Sequence, residues 1–381
     1  MKVLSIFGTR PEAIKMAPLV QAIERAPALN SIVCITGQHR EMLDQVTTLF
    51  GLRADHDLQV MLPNQTLNGL FGRTLERLDA VLTAESPDLV LVHGDTTTAC
   101  AAAMASFHRR IAVGHVEAGL RTGDLNQPFP EEMNRRVIDG ISQWLFAPTA
   151  QSAANLAREN TPGQVLVTGN TVIDALAWTS GTLAPGSERD LALRAKYPWL
   201  APGKRLILVT GHRRENFGQG FDGICAALTA LAARQDVQIV YPVHLNPKVR
   251  DTVMARLDGR PAIRLIDPLS YLDFVWFMQQ AYIILTDSGG VQEEAPYLGK
   301  PVLVMREVTE RPEAVRAGTV VLVGTDPARI QSEVNRLLDD APHHASFCRR
   351  INPYGDGMAS ARIVSALIGE PVNTFQPPKH D

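Results

Sequence analysis

The sequence contains an apolar run, VLSIF at residues 3–7, that stops at Gly8 and is followed by a stretch with helical periodicity. Strand-like runs recur at residues 32–36, 89–93 and 111–115, again with helical stretches between them. These runs are apolar on both faces, as strands are when helices cover both sides of a parallel sheet. The alternation therefore predicts an α/β fold with a doubly wound, Rossmann-like sheet.

A second series repeats this alternation, with strand-like runs at residues 205–210, 237–243, 262–266, 282–286, 301–305 and 320–323. Residues 182–204, between the two series, contain several Pro and Gly residues, which are typical of a connecting segment. We therefore expect two Rossmann-like domains that face each other across a cleft: residues 1–170, a connecting segment at 171–204, and residues 205–355. A final helix near residues 356–369 is expected to pack back on the first domain.

Composition excludes several classes of protein. The 381 residues are 45% hydrophobic and 20% charged with a net charge of -3, which is typical of a globular protein of two domains. This charge gives no general attraction to nucleic acid or to an anionic membrane, and no apolar run reaches the length of a membrane span. The four cysteines form no CxxC pair, so we expect reduced thiols in a cytoplasmic protein.

Ligands of open α/β sheets bind beyond the carboxyl ends of the strands, so the residues there are the most informative. Arg10 follows the first strand, and Lys15 lies a few residues into the next helix. Two cations and free backbone N–H groups therefore converge near one helix start, which suits a phosphate. For either residue taken alone, a solvated surface charge is an equally good explanation.

Two similar tripeptides end neighbouring strands, HGD at residues 93–95 and HVE at residues 115–117. Strand alternation predicts that each histidine and its acid point the same way, and that the carboxylates of Asp95 and Glu117 meet. An N-cap of the helix beginning at Thr96 would explain Asp95 alone, but not Glu117. Such pairs also occur in dinuclear metal sites, yet no further ligand pattern is present, so we favour acid–base chemistry without a metal.

A third group of acids, Glu131 and Glu132, follows Pro130 at a predicted helix start. Acids near a helix N-terminus complement the helix dipole, which is a sufficient structural reason for both of them. Glu131 taken singly is therefore explained by structure.

In the second series, GHRREN at residues 211–216 follows a strand and brings the imidazole of His212 and the guanidinium of Arg213 to the strand end. A single histidine is often a core residue, but one beside two arginines at a strand end points to function. His244 similarly follows a strand.

SGG at residues 288–290 follows another strand and opens a helix. The glycines would let a diphosphate approach backbone donors, and Glu294 can accept hydrogen bonds from ribose hydroxyls. A plain helix cap explains the same tripeptide. Arg311 supplies a further cation after a strand.

A dinucleotide fingerprint is present but misplaced. GQGFDG at residues 218–223 has the GxGxxG spacing, yet seven residues separate it from the preceding strand. Its glycines therefore cannot form the strand-to-helix turn that binds a dinucleotide. We expect no nicotinamide cofactor.

Taken together, these motifs resemble the non-hydrolysing UDP-N-acetylglucosamine 2-epimerases over nearly the whole chain and in the order of that family. The matching stretches are GTRPEAIKMAP (8–18), GQHREML (37–43), HGDTT (93–97), HVEAGLR (115–121), PFPEEMNR (128–135), GHRRENFG (211–218), TDSGGVQEEAP (286–296) and TERPE (309–313). The resemblance implies a GT-B-like pair of domains, a bacterial cytoplasmic homodimer, and reversible conversion of UDP-GlcNAc to UDP-ManNAc for polysaccharide biosynthesis. It implies no cofactor and no metal.

The resemblance also assigns roles to matching positions. The implied catalytic residues are Asp95, Glu117, Glu131 and His212. The implied or candidate substrate-binding residues are Arg10, Lys15, Arg135, Arg213, His244, Leu269, Phe274, Ser288, Gly289, Gly290, Glu294 and Arg311. A second UDP-GlcNAc that activates the enzyme is expected near Gln38, His39 and Gln65.

The reaction implied by the family is an anti elimination of UDP to 2-acetamidoglucal, followed by syn return of UDP. Two departures from the family pattern bear on specificity: Asn126-Gln127 stands where many relatives have Tyr-Ser, and Asn64 stands where some have arginine. Epimerisation of a related UDP-2-acetamido sugar is therefore an alternative. Two alternatives fit the sequence less well. One is a GT-B glycosyltransferase, which would need an acceptor surface, and the other is a nucleotide-sugar-binding protein without activity.

Overall fold

A computed structural model describes residues 1–37, 40–309, 311–349 and 352–377 of the chain. The chain divides into two compact units. The first consists of Met1–Ala175 and Tyr354–Gln376, and the second is made mainly of Leu176–Pro353. Each unit has its own parallel sheet, with seven strands in the first and six in the second among the described residues.

The first unit is a doubly wound sheet in the order β3-β2-β1-β4-β5-β6-β7. Its strands are β1 (Lys2–Phe7), β2 (Asn30–Ile35), β3 (His56–Asp57), β4 (Leu89–His93), β5 (Ala112–Val116), β6 (Trp144–Ala147) and β7 (Gln164–Val167). Its helices are α1 (Arg10–Arg25), α2 (Arg40–Phe50), α3 (Leu67–Glu85), α4 (Thr97–His108), α5 (Glu131–Ile141), α6 (Ala150–Arg158) and the start of α7 (Thr171–Thr182).

The second unit repeats this architecture with the order β10-β9-β8-β11-β12-β13. Its strands are β8 (Arg205–Thr210), β9 (Val237–Pro242), β10 (Ile263–Ile266), β11 (Ile283–Thr286), β12 (Val302–Val304) and β13 (Val320–Leu322). Its helices are α8 (Glu188–Lys196), α9 (Gln219–Leu231), α10 (Pro247–Leu257), α11 (Tyr271–Gln280), α12 (Gly289–Glu294), α13 (Pro312–Arg316), α14 (Pro327–Asp339) and α15 (Ala341–Phe347). The last helix of the chain, α16 (Ala359–Leu367), belongs to the first unit and contacts α1.

The predicted α/β class with two parallel sheets is confirmed. The strands predicted at 89–93 and 205–210 have the observed bounds, and the other predicted strands differ by one or two residues at their ends. The sequence pattern missed β3, β6 and β7. β3 has only two residues, and a run this short carries little periodicity. Length does not explain β6 and β7, whose four residues equal those of the predicted strands β10 and β11.

Each sheet has one point where the strand order reverses. In the first unit β1 pairs with both β2 and β4, and in the second β8 pairs with both β9 and β11. The loops after these central strands part to opposite sides of the sheet there, which leaves room for a ligand. The segments that follow β1 and β4, and those that follow β8 and β11, contain nine of the nineteen predicted site residues.

Helix sequences fit the space around the sheets. α4 is rich in alanine, and most of its residues are buried between α3 and α5. Small side chains allow this close approach of three helices. Among the described residues, none of the helices combines the length and apolar character needed to cross a membrane.

Candidate active site

Glu117 lies just beyond the end of β5 in an unusual backbone conformation. Its φ of 70° places it in the left-handed region, which is uncommon for any residue other than glycine and occurs often at functional sites. Its Oε1 accepts hydrogen bonds from Nζ of Lys15 (2.5 Å) and Nδ2 of Asn170 (2.8 Å). Burial by itself raises the pKa of Glu117, but the charge of Lys15, the nearby His93 and the hydrogen bonds from Lys15 and Asn170 together outweigh it and hold the pKa well below its ordinary value. Glu117 is therefore an ionised carboxylate inside the protein.

The structure brings the acid of the second tripeptide to the histidine of the first, which strand alternation does not predict. The histidine beside Glu117 is His93, whose Nε2 lies 3.7 Å from Oε2 of Glu117, whereas His115 contacts other groups. Both strands end before their acids, β4 at His93 and β5 at Val116, and Gly94 and Glu117 have φ angles of 66° and 70°, so the alternation does not extend to the acids. Neither ring nitrogen of His93 has a hydrogen-bond partner among the described residues, and burial lowers its pKa to about 3. The ring is neutral.

Asp95 has different partners from Glu117. Its Oδ2 lies 2.7 Å from one guanidinium nitrogen of Arg135, and its backbone oxygen accepts from the side chain of Asn134. Arg135 lies between Asp95 and Glu132, since it also pairs with the carboxylate of Glu132. Thr96, not Asp95, caps α4 by accepting a hydrogen bond from a backbone N–H of that helix. The structural explanation of Asp95 as a helix cap therefore does not hold.

Two adjacent acids at the start of α5 have opposite environments. Glu132 is fully buried, accepts from the backbone N–H groups of Thr122 and Gly123, and pairs with Arg135. Glu131 has a buried Oε2 with no hydrogen-bond partner among the described residues. An orphaned buried carboxylate oxygen requires an explanation, and contact with a ligand or a reacting proton is one. Glu132 thus has the structural role, and Glu131 is available for chemistry.

Glu12 was not singled out from the sequence, yet it joins two loops of the site. Its carboxylate accepts from the N–H groups of Gly8 and Thr9 and from the hydroxyl of Thr96, and it forms a capping box with Thr9 at the start of α1. Burial raises its pKa, although these hydrogen bonds oppose the rise. The segment after β1, which includes Arg10, is therefore fixed to the segment after β4.

In the second unit, Asp287 organises the loop that carries His212. It follows β11 and is fully buried, and its Oδ2 accepts from the N–H groups of His212 (2.9 Å) and Arg213 (2.8 Å) and from the side chain of Asn216. Burial raises its pKa, but the hydrogen bonds and the His212 ring outweigh this effect and lower it.

The His212 ring lies between Asp287 and His244. Its Nδ1 is 3.3 Å from Oδ1 of Asp287, the ring stacks on that of His244, and its side chain is 40% exposed. Burial lowers the pKa of His244. His212 is therefore oriented by a carboxylate yet accessible to a ligand.

The start of α12 combines glycine with a cation. Ser288 occupies the N-cap position without making a side-chain cap, so the plain-cap explanation does not apply to it. A Cβ on Gly289 would lie 2.5 Å from a guanidinium nitrogen of Arg311, so this glycine makes room for the arginine. Arg311 is held by Glu293 (2.6 Å), and a Cβ on Gly290 would meet nothing closer than 3.9 Å.

The remaining predicted residues are on α11, on α12 and on the segments before α2, α3 and α11. Buried Glu294 accepts from the hydroxyl of Tyr271, and half-buried Leu269 and Phe274 flank the start of α11. Gln65, on the loop before α3, contacts Arg73, while Gln38 and His39 lie outside the described residues. Groups of three or more His, Cys, Asp or Glu side chains able to hold a metal ion do not occur in the part of the chain that the structure describes.

The protein has two Rossmann-like units, and the side chains described above lie beyond the strand ends of each. This arrangement is typical of α/β enzymes that bind nucleotides. A family model described as UDP-N-acetylglucosamine 2-epimerase matches residues 21–368. The chain is 57% identical over 369 residues to the UDP-N-acetylglucosamine 2-epimerase of Salmonella typhimurium. The aligned region covers 96% of this chain and 98% of the relative. The chain therefore belongs to the UDP-N-acetylglucosamine 2-epimerase family and is an epimerase.

Solved structures are similar over the same length. The UDP-GlcNAc 2-epimerase of Neisseria meningitidis, bound to UDP-GlcNAc, has a TM-score of 0.90 and 48% identity, covering 97% of this chain and 100% of that one. The enzyme of Methanocaldococcus jannaschii, in complex with UDP-GlcNAc and UDP, has a TM-score of 0.80 and 33% identity, covering 97% and 100%.

Proposed function

We propose that this epimerase interconverts UDP-GlcNAc and UDP-ManNAc. In the first step the bond between C1 and the diphosphate oxygen breaks, the proton at C2 leaves from the opposite face, and a C1=C2 double bond forms in 2-acetamidoglucal. In the second step UDP returns to C1 and a proton is added to C2 on the other face. The anomeric configuration is retained and the configuration at C2 is inverted, with no net change in atoms.

Departure of UDP must lead, because the hydrogen at C2 is only weakly acidic until positive charge develops at C1. Electrostatic stabilisation of the leaving diphosphate is therefore the main catalytic requirement. The second unit supplies suitable groups: the ring of His212, oriented by Asp287, and the guanidinium of Arg311 beside the start of α12. We assign UDP binding to these residues together with Arg213, and ribose binding to Glu294.

Inversion at C2 needs proton exchange on both faces of the sugar, so at least two acid–base groups are required. The observation that carries the proposal is the contrast between Glu131 and Glu117. Glu131 has a buried carboxylate oxygen without a donor, so it loses no hydrogen bond when it takes a proton. Glu117 is held ionised by Lys15 and Asn170, so it can accept a proton or stabilise positive charge at C1. Asp95, paired with Arg135, is the third acid.

Incubation with UDP-GlcNAc in deuterium oxide, followed by proton NMR, tests this function. We expect the 2-epimer with deuterium at C2 in both sugars at equilibrium. Free UDP with a released sugar would indicate a hydrolase, an unchanged spectrum would indicate a binding protein, and turnover that needs an acceptor would indicate a glycosyltransferase. Parallel incubations with UDP-GalNAc and other UDP-2-acetamido sugars test the specificity that Asn126-Gln127 leaves open.

We also propose that the enzyme acts in the cytoplasm as a homodimer, and that a second UDP-GlcNAc activates it near Gln65. Sedimentation velocity tests the dimer. Initial rates with UDP-ManNAc as the sole substrate test the activation, since a lag or sigmoidal dependence that added UDP-GlcNAc removes is expected, and hyperbolic rates would contradict it.

A further inference from the structure

The two similar tripeptides of the first unit place their histidines in opposite environments. His93 has no hydrogen-bond partner among the described residues, whereas the fully buried His115 has partners on both ring nitrogens. Nδ1 of His115 lies 2.6 Å from Oδ1 of Asp139, which is also fully buried, and Nε2 lies 2.7 Å from the backbone oxygen of Gly94.

These contacts fix the charge of His115. A backbone carbonyl oxygen can only accept, so Nε2 must carry a hydrogen. Asp139 is held as a carboxylate because its Oδ2 accepts from the N–H of Gly119 (3.2 Å) and lies 2.8 Å from the guanidinium of Arg121. An ionised carboxylate also only accepts, so Nδ1 carries a hydrogen as well. His115 is therefore an imidazolium, and Arg121 in turn pairs with Glu159, so the four charges alternate in sign and sum to zero.

Each bond of this pair leads to a segment that carries one of the three acids. The Gly94 oxygen that accepts from His115 belongs to the residue just before Asp95. The Gly119 N–H that donates to Asp139 lies two residues after Glu117. Asp139 itself is on α5, the helix that begins at Glu131.

A buried ion pair is seldom retained for stability alone, because apolar residues of similar volume are often as stabilising. We propose that the His115–Asp139 ion pair is the positioning element that sets the relative placement of Asp95, Glu117 and Glu131. In this role the pair does not contact the reacting atoms. It acts by holding the three acids at fixed separations, and this role rests on the proposed epimerisation.

Two variants remove the charges in different ways. In Asp139→Asn the amide can donate to an unprotonated Nδ1, so neutral His115 keeps its bond to Gly94 while the ion pair is lost. In His115→Gln both donor hydrogens are on one amide nitrogen, which cannot replace the two ring nitrogens that face Asp139 and Gly94. His56→Gln is the control: His56 lies 2.8 Å from Glu85 in the same unit, in a partly exposed pair that holds no acid-bearing segment.

We expect kcat to fall by about 100-fold in both test variants, the effect of displacing a catalytic group by about 1 Å. The KM for UDP-GlcNAc and the Kd for UDP should stay within about twofold of wild type, and His56→Gln should retain kcat. Nitrogen-15 NMR of histidine-labelled protein at neutral pH gives a second readout: His115 should show two protonated ring nitrogens in wild type and one in Asp139→Asn.

Three results would overturn the proposal. These are a neutral His115 ring in wild type, a folded test variant with unchanged kcat, and a loss of kcat that merely parallels the loss of UDP binding and of Tm. If His115→Gln does not fold, Asp139→Asn and the ring spectrum still decide. Wild type that forms no epimer would instead refute the proposed function, and the NMR measurement keeps these two failures separate.

Discussion

The ammonium nitrogen of Lys15, on α1, lies 2.5 Å from Oε1 of Glu117, which follows β5, and both side chains are largely shielded from solvent. The two residues are 102 positions apart in the chain. The sequence suggested a phosphate-binding role for Lys15, whereas the structure places its charge against a carboxylate of the candidate active site. Removing one partner of such a pair leaves an uncompensated buried charge, which costs about 3 to 5 kcal/mol.

This pair predicts strong coupling between two substitutions. Lys15→Gln and Glu117→Gln should each lower Tm at pH 7 by several degrees, because each leaves one buried charge without its partner. The double variant has neither charge, so its Tm should fall by clearly less than the sum of the single effects. Differential scanning calorimetry of the full chain measures this, and strictly additive shifts would show that the pair is not coupled.

The adjacent acids Glu131 and Glu132 predict a separation of activity from stability. Glu131→Gln should lower turnover by about 100-fold or more, the usual contribution of an acid–base group, and should leave Tm nearly unchanged because no bond of its buried oxygen is lost. Glu132→Gln should lower Tm, because its carboxylate accepts from two backbone N–H groups and pairs with Arg135. Epimerisation rates and thermal unfolding check both variants, and a large fall in the Tm of Glu131→Gln would contradict the assignment.

Much of the fold follows from the sequence, since the long apolar strands and the helices between them define two parallel sheets. The segments that carry the candidate site also follow, because they lie after strand ends. The partner of each acid does not follow. His93 faces Glu117 because Gly94 and Glu117 both adopt left-handed backbone conformations, and strand periodicity contains no information on that local geometry.

Contacts between residues far apart in the chain also cannot be predicted from sequence patterns. Asn170 donates to Glu117 from 53 residues away, and nothing in its local sequence marks it. Asp287 is different: it stands directly after β11, at the end of the sheet where ligands bind, so its position was a usable signal. The loop of His212 that donates to it lies 75 residues earlier in the chain, so this role does not follow from the sequence.

Substitutions of Asp95 and Glu117 test whether the first unit carries the proton chemistry while the second binds UDP. Asp95→Asn and Glu117→Gln should each reduce turnover by about 100-fold or more, because each removes a carboxylate from the proton chemistry. UDP affinity should change little, since the residues assigned to UDP binding belong to the second unit. Isothermal titration with UDP and the deuterium-exchange assay measure the two effects, and a near-normal rate in either variant would refute its catalytic role.

The start of α12 offers a matched pair of glycine substitutions. Gly289→Ala should displace Arg311, because the new Cβ would lie 2.5 Å from its guanidinium, and so should break the contact with Glu293 and weaken UDP binding. Gly290→Ala meets no atom closer than 3.9 Å, so its Tm should equal or slightly exceed that of wild type. Thermal unfolding and UDP titration distinguish them. Equal Tm values for the two variants would show that Arg311 can move aside at no cost.

The lowered pKa of Asp287 predicts a pH-dependent contribution to stability. A carboxylate whose folded pKa lies below its ordinary value of 3.8 stabilises the protein above that value, and the contribution is lost as the pH falls through the folded pKa. Asp287→Asn should therefore lower Tm clearly at pH 7, by about 4 to 8 °C if about 2 kcal/mol is lost with its hydrogen bonds. The difference from wild type should narrow as the pH falls below about 4. Differential scanning calorimetry between pH 7 and pH 3 measures this difference in Tm. Asp251→Asn is the control, because Asp251 is exposed on α10. A difference in Tm that is the same at pH 7 and in acid would show that the charge of Asp287 does not hold the loop of His212.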